Sequence, residues 1–186
     1  VMAGGRAIAD AGLMATDIGM VVCAATTMQR SYPSIAIEIQ NALGCGGFAF
    51  DLTVACSSAV FGLHTAINAV ATGMVRAALV ITPEYTTPQF SFRDRDSHFI
   101  FGDATSAVVI QRADDVAAGK GFDVLGIRAT TQFSNNIRSE FGFLNRFEQP
   151  PRDPREFLFM QEGRKVYKEV VPFASELMLG HLQDLG

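Results

Sequence analysis

The run Phe50-Asp51-Leu52-Thr53-Val54-Ala55-Cys56-Ser57-Ser58 changes character half-way. Its first part belongs to an apolar stretch, residues 48–54, that reads as a buried strand. Its last part opens a helix over about 57–71, in which Val60, Leu63, Ile67 and Val70 recur at helical spacing on one face. Cys56 falls between the two, flanked by small residues. A sharp strand-to-helix turn needs small neighbours and lifts the side chain at its corner out of the sheet. A helix N-terminus also offers free backbone N–H groups and partial positive charge, which favour a thiolate and can hold an oxyanion. Cys56 is therefore the candidate nucleophile; the competing reading is an inert, buried thiol.

Working outward, the same alternation recurs. Residues 20–25 form a continuous apolar run, Pro33 and Ser34 open a helix stopped by Gly44, and residues 77–82 form another short buried strand. Strand, helix, strand, helix, strand in this rhythm predicts crossover units and a parallel sheet. Upstream, a helix ends at Gly12. Downstream, residues 83–98 contain two prolines and the tract Arg93-Asp94-Arg95-Asp96, which reads as a self-paired, solvated loop or the border of a substrate mouth. Two further strands are predicted over 104–111 and 122–131, then a long polar connection over 133–156 containing Pro150, Pro151 and Pro154. Residues 156–185 read as helical, with Pro172 expected to kink or interrupt them. The chain's closing Leu182-Gln183-Asp184-Leu185-Gly186 echoes Ala9-Asp10-Ala11-Gly12-Leu13, as though the second half of a duplicated fold begins there.

The whole chain has 186 residues, 48% of them hydrophobic and 18% charged, with a formal net charge of −4. A packed core is affordable and disorder is not expected. The acidic balance argues against a nucleic-acid-coating protein. No apolar run approaches the roughly 18 residues that cross a bilayer, and Arg6 and Asp10 interrupt the place of a signal peptide's apolar core. Cys23, Cys45 and Cys56 are 22 and 11 residues apart with no CxxC pair, and His64, His98 and His181 do not bracket them, so neither a disulfide framework nor a metal site is expected. Free thiols suit a cytoplasmic location. Cys23 reads as core and Cys45 as part of a helix stop. Nothing matches a nucleotide phosphate loop.

Four stretches together resemble the β-ketoacyl-acyl-carrier-protein synthase III family of the thiolase-like superfamily. They are Tyr32-Pro33-Ser34-Ile35-Ala36-Ile37-Glu38-Ile39-Gln40, Phe50 to Ser57, Phe99-Ile100-Phe101-Gly102-Asp103-Ala104, and Met160-Gln161-Glu162-Gly163-Arg164-Lys165-Val166-Tyr167. The resemblance implies a layered α-β-α-β-α fold, with residues 1–155 as the first half, lacking its opening strand, and 156–186 as the start of the second. It implies a cytoplasmic homodimer in fatty acid biosynthesis whose Cys56 takes an acyl group from acyl-CoA and condenses it with malonyl-acyl carrier protein, releasing carbon dioxide, with no separate cofactor, membrane or nucleic acid. Tyr32 matches an aromatic residue reaching into the neighbour's acyl pocket, Leu158 and Met160 match residues at the pocket mouth, and Arg152 matches an arginine that packs on coenzyme A. Core packing is the competing reading for Tyr32, Leu158 and Met160. Phe90, Phe92, Phe99 and Phe101 suggest an apolar pocket, and Arg128, Arg138 and Arg146 a carrier-protein patch. The family's enolate-stabilising histidine and asparagine match nothing here, so the resemblance implies a fragment that does not condense alone. The alternatives are a hydroxymethylglutaryl-CoA synthase, a type III polyketide synthase, or a non-catalytic partner subunit.

Overall fold

A computed structural model describes residues 1–117, 119–140, 142 and 153–186. They divide into two compact units, one of Val1–Tyr85 with Asp103–Asp123, the other of Thr86–Gly102 with Val124–Gly186.

The first unit is a four-stranded sheet between helices. Its elements are α1 (Met2–Asp10), β1 (Met20–Ala24), α2 (Ile35–Leu43), β2 (Phe48–Leu52), α3 (Ser58–Ala71), β3 (Ala77–Glu84) and β4 (Ala104–Gln111). The strand order is β2-β1-β3-β4. Strand β1 pairs in parallel with both β2 and β3, Met20 standing opposite Phe48 and Ala78, as two crossovers require. Strand β4 then returns antiparallel along β3.

Alternation along β1 sorts the core into two layers. Val21 and Cys23 pack with Leu79 and Ile81 under Ile8 of α1 and Ala36 and Ile39 of α2. Met20, Val22 and Ala24 pack with Ala78 and Val80 under Ala66, Ala69 and Val70 of α3. Helix α3 lies very close to the sheet, because Gly62 faces it: a Cβ there would stand 2.8 Å from Ala24 Cβ. Gly47, at φ +66°, is tighter still, since its Cβ would fall 1.8 Å from the Gly19 carbonyl oxygen.

Three expectations change here. Strand β2 is not buried on both faces; it is a sheet edge, and Phe48 is exposed because nothing pairs beyond it among the described residues. Ser34 sits at the N-cap of α2 but makes no side-chain cap. Asp51 of β2 caps the helix instead, its carboxylate accepting from the N–H groups of Ile35 (2.9 Å) and Ala36 (2.8 Å). Residues 122–131 form no strand. Side-chain preference marks a segment as fit for a ladder, but the ladder needs a neighbour's N–H and C=O groups.

The second unit explains where that segment goes. It contains β5 (Ile137–Arg138) paired antiparallel with β6 (Met160–Gln161), and the long helix α4 (Gly163–Leu185). Residues 124–131 lie along the end of α4: Arg128 pairs with Asp184 at 2.8 Å, and a Cβ on Gly126 would meet Leu185 at 2.8 Å and His181 at 3.3 Å. Further along, Ser134 Oγ and Asn136 Nδ2 both donate to the Glu169 carboxylate at 2.6 Å. Helix α4 passes through Pro172 without interruption. Pro172 is exposed, so water can satisfy the carbonyl that loses its partner one turn earlier. Among the described residues no helix is long and apolar enough to cross a membrane.

Candidate active site around Cys56

Parallel strands β1, β2 and β3 end on the same side of the sheet, and the Cys56 corner follows the C-terminal end of β2. Open α/β sheets place their ligands outside that end of the strands. Strand β2 stops at Leu52 and α3 begins at Ser58, leaving five residues for the turn. The turn is tight enough to force Ala55 to φ +44°, a left-handed conformation that costs an L-residue about 1–2 kcal/mol. Alanine is the least encumbered side chain that can sit there short of glycine.

The corner is held by its flanks. Ser57 N–H donates to the Val54 carbonyl (3.0 Å) and Ser58 N–H to the Ala55 carbonyl (3.1 Å). The Ser58 hydroxyl is 1% exposed; it accepts from Val54 N–H (2.8 Å) and lies 2.7 Å from the Ala55 oxygen and 2.9 Å from the Ala25 oxygen. Cys56 itself is exposed. The Cys56 N–H donates to no protein acceptor among the described residues, so an amide donor lies free beside the sulfur.

The other two thiols contrast with it. Cys23 is fully buried, and burial, reinforced by the Asp51 and Glu84 carboxylates, pushes its pKa up to about 12. Cys45 is half-buried, and burial raises its pKa as well. The inert-core reading therefore fits Cys23 and fails for Cys56.

Tyr32 is in the same unit as Cys56. It is 83% exposed, which removes core packing as its role. Its loop is tied down at both ends, by Glu84 accepting from Thr26 N–H (3.0 Å) and by the Asp51 cap on α2. An Arg30–Glu38 ion pair braces it between.

In the second unit, Leu158 and Met160 are half-buried on either side of Phe159. Phe159 completes an aromatic cluster, with Phe90 and Phe101 stacked at 4.4 Å and Phe159 edge-on to them at 5.0 and 5.1 Å. Phe92 and Phe99 are exposed rather than part of it. A separate open groove of about 500 Å³ has Phe99, Ile100, Tyr167 and Val171 as apolar walls and Arg95 and Arg164 at its rim. The tract 93–96 is not self-paired. Asp94 takes its bonds from Ser97 Oγ (2.6 Å) and Asp96 N–H (3.0 Å), which hold its carboxyl below the usual range, and Arg95 forms no ion pair among the described residues. His98 is committed within the same loop, Nδ1 donating to the Asp94 carbonyl at 2.6 Å. Among the described residues no cluster of His, Cys, Asp and Glu could hold a metal ion.

Residues 50–130, which include the whole Cys56 corner, match the family model for 3-oxoacyl-[acyl-carrier-protein (ACP)] synthase III. A β-ketodecanoyl-[acyl-carrier-protein] synthase of Pseudomonas aeruginosa is 50% identical across 98% of this chain.

Along nearly its whole length the chain is similar to synthases III.

A β-ketoacyl-[acyl-carrier-protein] synthase III of Novosphingobium aromaticivorans is 35% identical over 97% of this chain. The crystal structure of 3-oxoacyl-[acyl-carrier-protein] synthase III from Aquifex aeolicus superposes on 98% of it with a TM-score of 0.75 at 24% identity, which establishes the fold. The chain covers 52%, 55% and 54% of these three proteins respectively, about half the length of the relatives it matches.

Arg152 and Arg146 lie outside the described residues. Arg128 is paired with Asp184, and Arg138 bonds Asn135 (2.8 Å) and Glu140 (2.7 Å), so both expected docking cations are already engaged. Sequence reasoning had no signal for Ser58 or Glu84, whose partners are distant in the chain. Arg164 carried a signal only through its place beside Met160.

Proposed function

We propose that this chain supplies the acyl-accepting cysteine of a decarboxylating condensing enzyme in fatty acid biosynthesis. Cys56 Sγ attacks the thioester carbonyl of an acyl-CoA. A carbon–sulfur bond forms to Cys56, the bond to coenzyme A breaks, and the thiol proton leaves with the coenzyme A sulfur. The Cys56 N–H donates to the oxyanion in between. Malonyl-acyl carrier protein then loses carbon dioxide, and its enolate carbon attacks the acyl carbon and expels the Cys56 thiolate. The groups that stabilise that enolate are expected in the second half of the longer protein, of which residues 156–186 are the opening and residues 1–155 the first half.

The single observation behind this reading is an exposed cysteine, with a free amide beside it, at a strained strand-to-helix corner within the family-matched region. The name of the Pseudomonas relative supports a medium-chain primer. The exposure of Tyr32 supports a role at the acyl pocket of a partner in a homodimer. We assign Leu158 and Met160 to the pocket mouth and Arg152 to coenzyme A, acyl-CoA as substrate without a separate cofactor, and the cytoplasm as the compartment.

Incubating the full-length protein with octanoyl-CoA and reading intact mass and peptides tests the reading. One octanoyl group is expected on Cys56 and none in Cys56→Ser. A folded protein that takes up no acyl group from a series of acyl-CoAs overturns it in favour of a non-catalytic partner subunit.

A further inference from the structure

The hydroxyl of Ser58 touches three backbone groups, two in its own turn and one at the end of β1. It accepts from Val54 N–H at 2.8 Å, lies 2.7 Å from the carbonyl oxygen of Ala55, and reaches the carbonyl oxygen of Ala25 at 2.9 Å, across 33 residues of chain. It has one proton to share between the two carbonyls and one acceptor function for the amide. Ala25 continues β1, its own N–H bonded to Leu52 at the end of β2 (3.2 Å). The side chain thus joins the exit of β1, the exit of β2 and the turn, in a position only 1% exposed.

Residues on both sides of Cys56 are tied, while Cys56 is not. Val54, Ala55, Ser57 and Ser58 all take part in the turn's hydrogen bonds. The planar peptide between Ala55 and Cys56 carries both the Ala55 carbonyl and the free N–H of Cys56, so whatever holds that carbonyl also aims that N–H. Without the Ser58 hydroxyl, Val54 N–H loses its acceptor and the Ala55 carbonyl is left with the Ser58 N–H alone. The cheapest relaxation swings Ala55 out of the left-handed region and turns the Cys56 peptide with it. Only a short side chain that both donates and accepts performs this task.

We propose that Ser58 is the positioning residue of the nucleophile corner, its buried hydroxyl holding Ala55 left-handed so that the Cys56 sulfur and amide meet the acyl carbonyl together. The proposal rests on Cys56 being the acyl acceptor, and acts on the rate of acyl transfer rather than on binding of the acyl-CoA. Glycine adopts positive φ without penalty, so Ala55→Gly removes part of the need for the hydroxyl.

The test compares wild type, Ser58→Ala, Ala55→Gly and the double variant in the full-length protein. Two readouts are taken: steady-state acylation by octanoyl-CoA, and iodoacetamide labelling of Cys56 followed by peptide mass, with Cys45 labelling as the internal gauge of folding. In Ser58→Ala, kcat for acylation falls about tenfold or more with KM within about twofold, since a misplacement of an ångström at a reacting group costs up to about a hundredfold. Iodoacetamide labelling of Cys56 changes while that of Cys45 does not, and the double variant returns to within about threefold of Ala55→Gly. Wild-type Cys56 rates in Ser58→Ala, a loss carried by KM alone, or a double variant as impaired as Ser58→Ala overturns the proposal. If Ser58→Ala does not fold, the double variant against Ala55→Gly decides in the same way. A wild type that accepts no acyl group, with the labelling pattern as expected, removes the acyl-acceptor reading and leaves the positioning role standing.

Discussion

Burial separates the three thiols of this chain. Cys23 lies in the core between Val21 and Ile81 with two carboxylates nearby, Cys45 is half-covered, and Cys56 stands in the open. At neutral pH, iodoacetamide is expected to label Cys56 first, Cys45 more slowly and Cys23 only on unfolding; Cys23 labelling in the native protein would contradict the packing of β1. The raised pKa of Cys23 also gives a pH dependence. Its folded value is about 12, against about 8.5 for an unfolded thiol, so the folded state keeps the proton longer. This contribution to stability is fully present below the unfolded value and is lost as pH rises towards 12. Denaturation midpoints taken across the alkaline range should fall less steeply in Cys23→Ala than in wild type, and parallel slopes would refute the assignment. That variant should cost about 1 kcal/mol at neutral pH. The position of Cys56 was legible from its small neighbours and the change of periodicity around it. The contribution of Ser58 was not, because a hydroxyl two residues from the cysteine means nothing until Ala25 is seen beside it.

Helix α2 is stopped by Gly44, whose φ of +74° is what a glycine in that place in the sequence announces. Its start was legible only in part: Pro33 and Ser34 mark the boundary, but Asp51 performs the capping from another element. Replacing Asp51 with Ala should therefore cost about 1–2 kcal/mol in urea denaturation, and with Asn less, since one acceptor remains. If Ser34→Ala costs as much as Asp51→Ala, the capping assignment is wrong. Local pattern also misled over 122–131 and at Pro172. The first is apolar enough for a strand yet packs along α4 through Gly126 and Arg128. The second breaks a buried helix but not an exposed one.

At the scale of the molecule, the chain holds a sheet-and-helix unit that presents Cys56 and Tyr32, and a second unit that carries the aromatic cluster, the arginine-rimmed groove and α4. Tyr32 contributes little to the unit it belongs to. Tyr32→Ala should leave stability within about 0.5 kcal/mol of wild type while shifting the preferred acyl length in a series of acyl-CoAs. Unchanged preference with unchanged stability would release Tyr32 from the acyl pocket. What the residues alone determined was the alternation of strands and helices, the parallel crossover connections of the first three strands, and the corner that raises Cys56, because hydrophobic period, glycine stops and small residues act within a few positions along the chain. What only the tertiary structure decided was which strand lies at the edge, the antiparallel return of β4, the cap supplied by Asp51 and the hydroxyl under Cys56. Those depend on hydrogen-bond partners brought together from distant parts of the chain, and no local pattern encodes a partner's address.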